Sequence, residues 1–186
     1  MDSRSRDLRD MVVVGGGAAG LSAALTLARA RRRVTVVDAG EPRNAPAEGV
    51  HGVLALDGLR PSEFLARGRE EVAGYHGELV EGEVVGTDTA EHGFDVSLGD
   101  GAVLPTRTLL LAIGVSDELP DIPGVREQWG HGVLHCPYCH GWEVRDQRIG
   151  VLASGPTSAH QATLFHQWSR DITYFTGGRR SGSRTA

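Results

Sequence analysis

Cys136 and Cys139 are the only cysteines in the chain, and two residues separate them. A pair at this spacing can close a small disulfide ring or hold a metal ion through its thiolates. With the histidine that follows here, His140, it can also carry a c-type haem. A fourth reading is two inert cysteines packed as small hydrophobes. Redox exchange needs a thiolate near neutral pH and a proton donor for the leaving sulfur, and His140 titrates in the right range to give or take that proton. Zinc would draw on His131, His135 and His140, which flank the pair. A structural zinc site wants a second spaced ligand pair, and these histidines lie too near one another to close a tetrahedron easily. Haem attachment wants an exported chain and an axial ligand, and no methionine follows Met11. Pro137 and Tyr138 would stiffen and shield a disulfide ring, and Trp129 and Trp142 read as packing residues.

A second chemical constellation lies at the other end of the chain. Met11–Val14 is a β-branched apolar run that reads as a buried parallel strand. It enters Gly15-Gly16-Gly17-Ala18-Ala19-Gly20, and Leu21 to Arg32 then carries an Ala/Leu helical pattern. Val34–Val37 is a second strand, ending at Asp38 with Ala39 and Gly40 next. Gly15 permits the tight turn, Gly17 lets backbone N–H groups reach a pyrophosphate, and Gly20 lets the helix pack closely on the strand. Asp38 stands where a carboxylate can accept both hydroxyls of a ribose. Strand, glycines, helix, strand and acid agree on a dinucleotide-binding βαβ unit. The arginines from Arg29 to Arg33 fall at the helix C-terminus, where positive charge suits the helix dipole.

The elements between these two constellations are less regular. Residues 41–58 are rich in Gly, Pro, Asn and Asp and read as loop. A helix is expected from Pro61 to about Gly74, with Ser62 as its N-cap. Leu79–Asp88 and Gly93–Leu98 alternate as strands, and a turn at Gly99-Asp100-Gly101 leads to a further strand near Ala102–Pro105. Together these suggest a small antiparallel insert. Thr108–Ile113 is a second apolar strand ending at Gly114, and the Pro/Gly cluster from Pro120 to Gly124 reads as a linker. Beyond the cysteines, Arg148–Ala153 is a strand, Thr157–Ser169 is helical in pattern and Asp171–Phe175 is a strand, so a second βαβ unit begins. Its glycine fingerprint is reduced to Ala153-x-Gly155-x-x-Ser158, and Pro156 removes one N–H at a place where a helix start tolerates the loss.

Taken together, Gly15-x-Gly17-x-x-Gly20 with Asp38, Leu111-Ala112-Ile113-Gly114, Pro120–Gly124 and the Cys-x-x-Cys resemble the thioredoxin reductase-like flavoproteins, a branch of the pyridine nucleotide–disulfide oxidoreductases. The resemblance covers roughly residues 11 to 175, with Ile113 where the family usually has threonine. It implies FAD as cofactor, contacted by Gly15, Gly17, Ala18, Ala19, Gly20, Asp38, Ala39, Arg43, Asn44, Ala112 and Gly114. Arg43-Asn44 and Asp57-Gly58 look like flavin-side loops of the smaller, bacterial-type members. It also implies a second nucleotide, NADP(H) or NAD(H), in the second domain. Cys139 becomes the flavin-facing sulfur, Cys136 the exchanging one, and His140 stands where such reductases usually carry an acid. The partner is a thioredoxin-like protein or a small dithiol or disulfide, and a full-length relative is a homodimer. A Cys-x-x-Cys-His in this fold is also similar to dithiol oxidases of disulfide-containing natural-product pathways, which pass electrons to oxygen.

The expected fold class is α/β. A flexible leader covers residues 1–10, with Met11 a candidate start. The N-terminal part of a Rossmann-like FAD-binding domain with its antiparallel insert covers 11–118. The start of a second, NAD(P)-type Rossmann-like domain carrying the cysteines covers 119–175, and a disordered tail covers 176–186. Arg179 and Arg180 fall near where NADPH-binding relatives keep arginines for the 2′-phosphate, against the plainer reading of that tail as low-complexity. Family members continue well past this point, so a truncated or frameshifted reading frame is expected, with an inactive nucleotide-binding fragment as the non-enzymatic alternative. The 186 residues are 40% hydrophobic and 23% charged, with a formal net charge of −5. That balance is globular and argues against a general nucleic-acid partner. The nineteen basic residues are all arginine, which reads as compositional bias. No apolar run suits a membrane span and the charged start is no secretory signal, so a cytoplasmic location is expected.

Overall fold

Val12 and Val13 are neighbours in sequence and both are fully buried. Successive strand residues face opposite sides of a sheet, so this sheet is covered on both faces. A computed structural model describes residues 8–176 apart from His92. Most of the expected leader (residues 1–7), nearly all of the expected tail (177–186) and the Arg179–Arg180 pair lie outside the described residues. The chain divides into two units, one of residues 1–49 and 58–117, the other of residues 50–57 and 118–186.

The first unit begins with β1 (Arg9–Val14), α1 (Ala18–Arg29) and β2 (Val34–Asp38). Strand β1 starts two residues before the expected Met11, and Leu8 is already buried. Residues 8–10 are therefore folded chain, not leader. Next come α2 (Pro61–Gly74), β3 (Glu78–Glu81), β4 (Val84–Ala90), β5 (Gly93–Leu98) and β6 (Val103–Leu111). The six strands form one sheet in the order β3-β2-β1-β6-β5-β4. Strands β3, β2, β1 and β6 run parallel, while β5 and β4 are added antiparallel beyond β6. Val13, Val34 and Val36 pack with Leu21 and Ala24 of α1 and Leu65 and Val72 of α2 on one face. Val12 and Val37 join Val96, Leu98 and Leu104 on the other.

Three sequence expectations change. The run Leu79–Asp88 is two strands broken at Gly82, and the first of them, β3, joins the parallel sheet beside β2, not the antiparallel insert. The two strands expected at 102–105 and 108–113 are one strand, β6, running straight through Pro105. Pairing with β1 starts only at Arg9↔Thr106, so Pro105 has β5 on one side and no ladder on the other to lose an N–H from. Helix α2 begins at Pro61, with Arg60 as N-cap in place of Ser62. A proline fits the first helical position because its missing N–H would be unpaired there.

The second unit holds α3 (Pro137–His140), β7 (Ile149–Leu152), α4 (Ser158–Phe165) and β8 (Ile172–Phe175). Strands β7 and β8 are parallel, from Ile149↔Ile172 to Leu152↔Phe175, and α4 connects them. Segment 50–57, a loop within the first unit's stretch of sequence, is counted with this second unit.

Candidate nucleotide cleft and redox pair

In the first unit, β1 and β6 carry their glycine motifs to the same end of the sheet. A methyl placed on Gly15 would lie 2.4 Å from the Ala112 carbonyl oxygen, and Gly15 has φ +105°. Only glycine fits that approach. A methyl on Gly20 would lie 1.9 Å from the Gly15 carbonyl oxygen, so the helix is pressed onto the turn it leaves. Gly17 differs, because a methyl there would meet nothing within 4 Å. Packing does not demand a glycine at 17, whereas a ligand close to the backbone would. Gly17 is also the N-cap of α1 and no side chain caps it, which leaves the first-turn N–H groups of Ala18, Ala19 and Gly20 uncapped by any side chain. Uncapped N–H groups at the positive end of a helix suit a pyrophosphate.

Asp38 closes β2 beside this turn. Its Oδ1 accepts the Gly16 N–H at 3.0 Å and its Oδ2 accepts from Arg69 of α2 at 2.6 Å. Burial alone would raise its pKa. The Arg69 hydrogen bond and the N–H groups of Gly16 and Gly40 outweigh burial and hold the carboxyl below its usual value. A cavity of about 480 Å³ opens here, lined by Gly16, Asp38, Gly40, Arg69, Val80 and Glu81 among others. These residues fit the adenosine half of a dinucleotide: a carboxylate for the ribose, a strand end for the base and a glycine turn for the phosphates.

The remaining expected contacts are less gathered. Ala39 and Asn44 are exposed, and Gly114 has φ +65° in an exposed stretch. Arg43 donates two hydrogen bonds to Asp117, at 2.7 and 2.5 Å, joining the loop after β2 to the segment after β6. Sequence reasoning missed Arg69, Val80 and Glu81. Gly82 signalled the strand break that would have found the last two, while nothing in α2 marks Arg69 out.

In the second unit, Cys136 is the N-cap of α3 and Pro137 its first residue. The Cys136 carbonyl accepts the N–H groups of both Cys139 and His140 at 3.2 Å, so the pair spans one helical turn. Cys136 is half-buried and Cys139 exposed. Tyr138 meets Trp168 edge to face at 5.4 Å, and a methyl on Gly141 would strike the Trp168 ring at 2.8 Å. Those contacts anchor the turn from below. Trp142, expected to pack, is 66% exposed and lies under the Arg145 guanidinium at 4.0 Å.

His140 is the other unusual group. Its Nε2 is buried with no hydrogen-bond partner among the described residues. Burial pushes its pKa below the ordinary histidine value, Glu143 pulls it up and His51 pushes it further down. His140 therefore stands as a neutral imidazole at neutral pH, able to take a proton from a thiol. Among the described residues, no three His, Cys, Asp or Glu side chains are placed to hold a metal ion.

The second βα turn is built differently from the first. Ser158 is buried, and its Oγ accepts the N–H groups of Ser154 at 3.0 Å and Gly155 at 3.1 Å. Two donors that a phosphate-binding turn would present are thus satisfied within the chain.

The family model for pyridine nucleotide-disulphide oxidoreductase matches residues 9–184. A thioredoxin reductase of Claviceps purpurea, tcpT, is 37% identical over 92% of this chain and 56% of its own length. The crystal structure of HlmI superposes with a TM-score of 0.87 at 51% identity, covering 93% of this chain and 56% of that one. A putative thioredoxin reductase, TrxB, from Bacillus anthracis superposes with a TM-score of 0.88 at 35% identity, covering 92% of this chain and 58% of that one. The chain thus spans about half the length of the relatives it matches.

Proposed function

Since this chain belongs to the pyridine nucleotide-disulphide oxidoreductase family, we propose that it is a flavin-dependent thiol–disulfide oxidoreductase working through Cys136, Cys139 and His140. The observation that carries this is a complete ADP-type cleft around Gly17 and Asp38 in the same chain as a Cys-x-x-Cys turn followed by a neutral histidine. When bound, FAD supplies the two-electron couple. The glycine turn and the N-terminus of α1 would hold its pyrophosphate and Asp38 its ribose, and Ala39, Arg43, Asn44, Ala112 and Gly114 would supply its remaining contacts. In the oxidising direction one substrate thiol attacks the enzyme disulfide at Cys136 and Cys139 leaves. The second substrate thiol then closes onto the first and releases Cys136, so the substrate loses two electrons and two protons and the enzyme disulfide opens to two thiols. His140 takes a proton from the attacking thiol and returns it to the leaving sulfur. The partner is a thioredoxin-like protein or a small dithiol or disulfide, and the working unit is a homodimer.

A second, sharper reading has oxygen as the electron partner and a small dithiol as substrate. The Ser158 hydroxyl favours it, because it occupies the N–H groups that a nicotinamide dinucleotide would need in the second βα turn. The test is the visible spectrum of the purified 186-residue chain. Flavin absorption bleached by dithiothreitol in the absence of air, and restored by oxygen, is expected. Bleaching by NADPH would move the assignment to the nicotinamide-linked reductase. Protein that stays colourless after incubation with FAD would overturn both.

A further inference from the structure

His51 lies 85 residues before the Cys-x-x-Cys turn, in a Gly-rich loop, and the fold brings it to His140. The two rings meet edge to face with centroids 6.4 Å apart. The Nδ1 of His51 is 3.5 Å from Asp57 Oδ2, and its Nε2 is 3.5 Å from Glu143 Oε1. His51 thus stands between two carboxylates, one facing each ring nitrogen. Asp57 is itself fixed, because it accepts the Gly52 N–H at 2.8 Å, which closes the loop around His51. The side chain of His51 is only 24% exposed.

We infer that His51, clasped between Asp57 and Glu143 and set edge-on to His140, is a positioning residue for the thiol chemistry: it engages the Glu143 carboxylate, which would otherwise act on His140 alone. The charged groups acting on His140 are Glu143, from the turn after α3, and His51, from the 50–57 loop. Asp57 reaches it through His51, and the thiols of α3 are its neighbours on the helix. Alone, Glu143 would stabilise protonated His140 and remove the base. With His51 beside it, the carboxylate is shared between two imidazoles, and His51 opposes a proton on His140. Glu143 also fixes the ring of His51, so the trio sets both charge and geometry. Segment 50–57 belongs to the same unit as the cysteines and delivers His51 and Asp57 to it.

The inference rests on the proposed proton role of His140, and its test separates the two. The protonation of His140 is followed by NMR of the ring-labelled protein from pH 4.5 to 8.5, in the wild type, His51→Gln and Glu143→Gln. His51→Gln is expected to raise the His140 midpoint by about half a unit or more, and Glu143→Gln to lower it. The double variant returns it close to wild type. A structural role alone would not move the two single variants in opposite directions. A midpoint unchanged or lowered in His51→Gln overturns the inference. Should His51→Gln fail to fold, a Glu143→Gln midpoint that is unchanged or raised overturns it equally. The pH dependence of dithiothreitol oxidation by the FAD-loaded protein is the second readout. Its acid limb is expected to follow the NMR midpoint in each variant, and a limb that stays put overturns the positioning role. A His140→Gln protein that keeps the wild-type acid limb would instead sink the proton role itself, leaving the NMR coupling standing.

Discussion

Gly17 and Gly20 stand three residues apart on one turn and answer to different demands. Gly20 is required by the protein, since a methyl there would overlap the Gly15 carbonyl. Gly20→Ala is expected to cost about 1–3 kcal/mol in urea unfolding. Gly17 faces open space. Serine is a better helix N-cap than glycine, so Gly17→Ser is expected to leave the melting temperature unchanged or higher. It should cut FAD retention about tenfold or more, because the new side chain fills the phosphate cradle and competes for its N–H groups. Equal flavin content in Gly17→Ser and wild type would remove the cradle from its assigned role. The sulfurs divide in a similar way. With Cys136 as the exchanging thiol, Cys139→Ser given a substrate disulfide should attack it, release one substrate thiol and keep the other as a stable mixed disulfide visible by mass spectrometry, and Cys136→Ser should not. The opposite result would swap the two roles, and Cys139 is the more exposed residue of the pair.

At the scale of elements, β2 and α2 meet in the Asp38–Arg69 pair, which ties a strand end to a helix and shapes the cleft. The Asp38 carboxyl titrates below its usual value when folded, so the unfolded chain binds that proton more readily. Its contribution to stability is complete above the unfolded value of about 3.9 and is lost as pH falls through the lower folded one. Asp38→Asn is therefore expected to flatten the acid limb of stability against pH below about 4, measured by urea midpoints at successive pH values. An acid limb as steep as wild type would show that the pair does not stabilise the fold. The first βαβ unit was legible in the sequence because local signals (a β-branched run, three spaced glycines, an acid at a strand end) all arise within thirty residues. Arg69 was not, because its role depends on how α2 packs against β2. The same holds for His51, an ordinary loop histidine until the fold sets it against Glu143 and His140. The misreading of residues 79–88 has a similar origin: alternation shows a strand but not its neighbour, and β3 found β2 instead of a hairpin partner.

The whole molecule is uneven in how firmly it is held. The first unit has a six-stranded sheet with both faces covered, while the second relies on a two-stranded parallel sheet, two short helices and turns. Two strands and one helix are marginal by themselves. Amide hydrogen exchange should therefore be slowest in β1 and β2 and about tenfold or more faster in β7 and β8. Equal protection across both sheets would refute that ranking. The α/β class was readable from the order of elements, whereas nothing local in residues 50–57 marks them as counted with the second unit. The central place of β1 also bears on how the chain is made. Met11 pairs with Val34 on one side, 23 residues on, and with Thr108 on the other, 97 residues on. At the usual speed of a ribosome, those 97 residues take roughly 5–20 s to appear. For that interval the β6-facing edge of β1 is bare, and a chaperone or a stalled neighbour can reach it before β6 does.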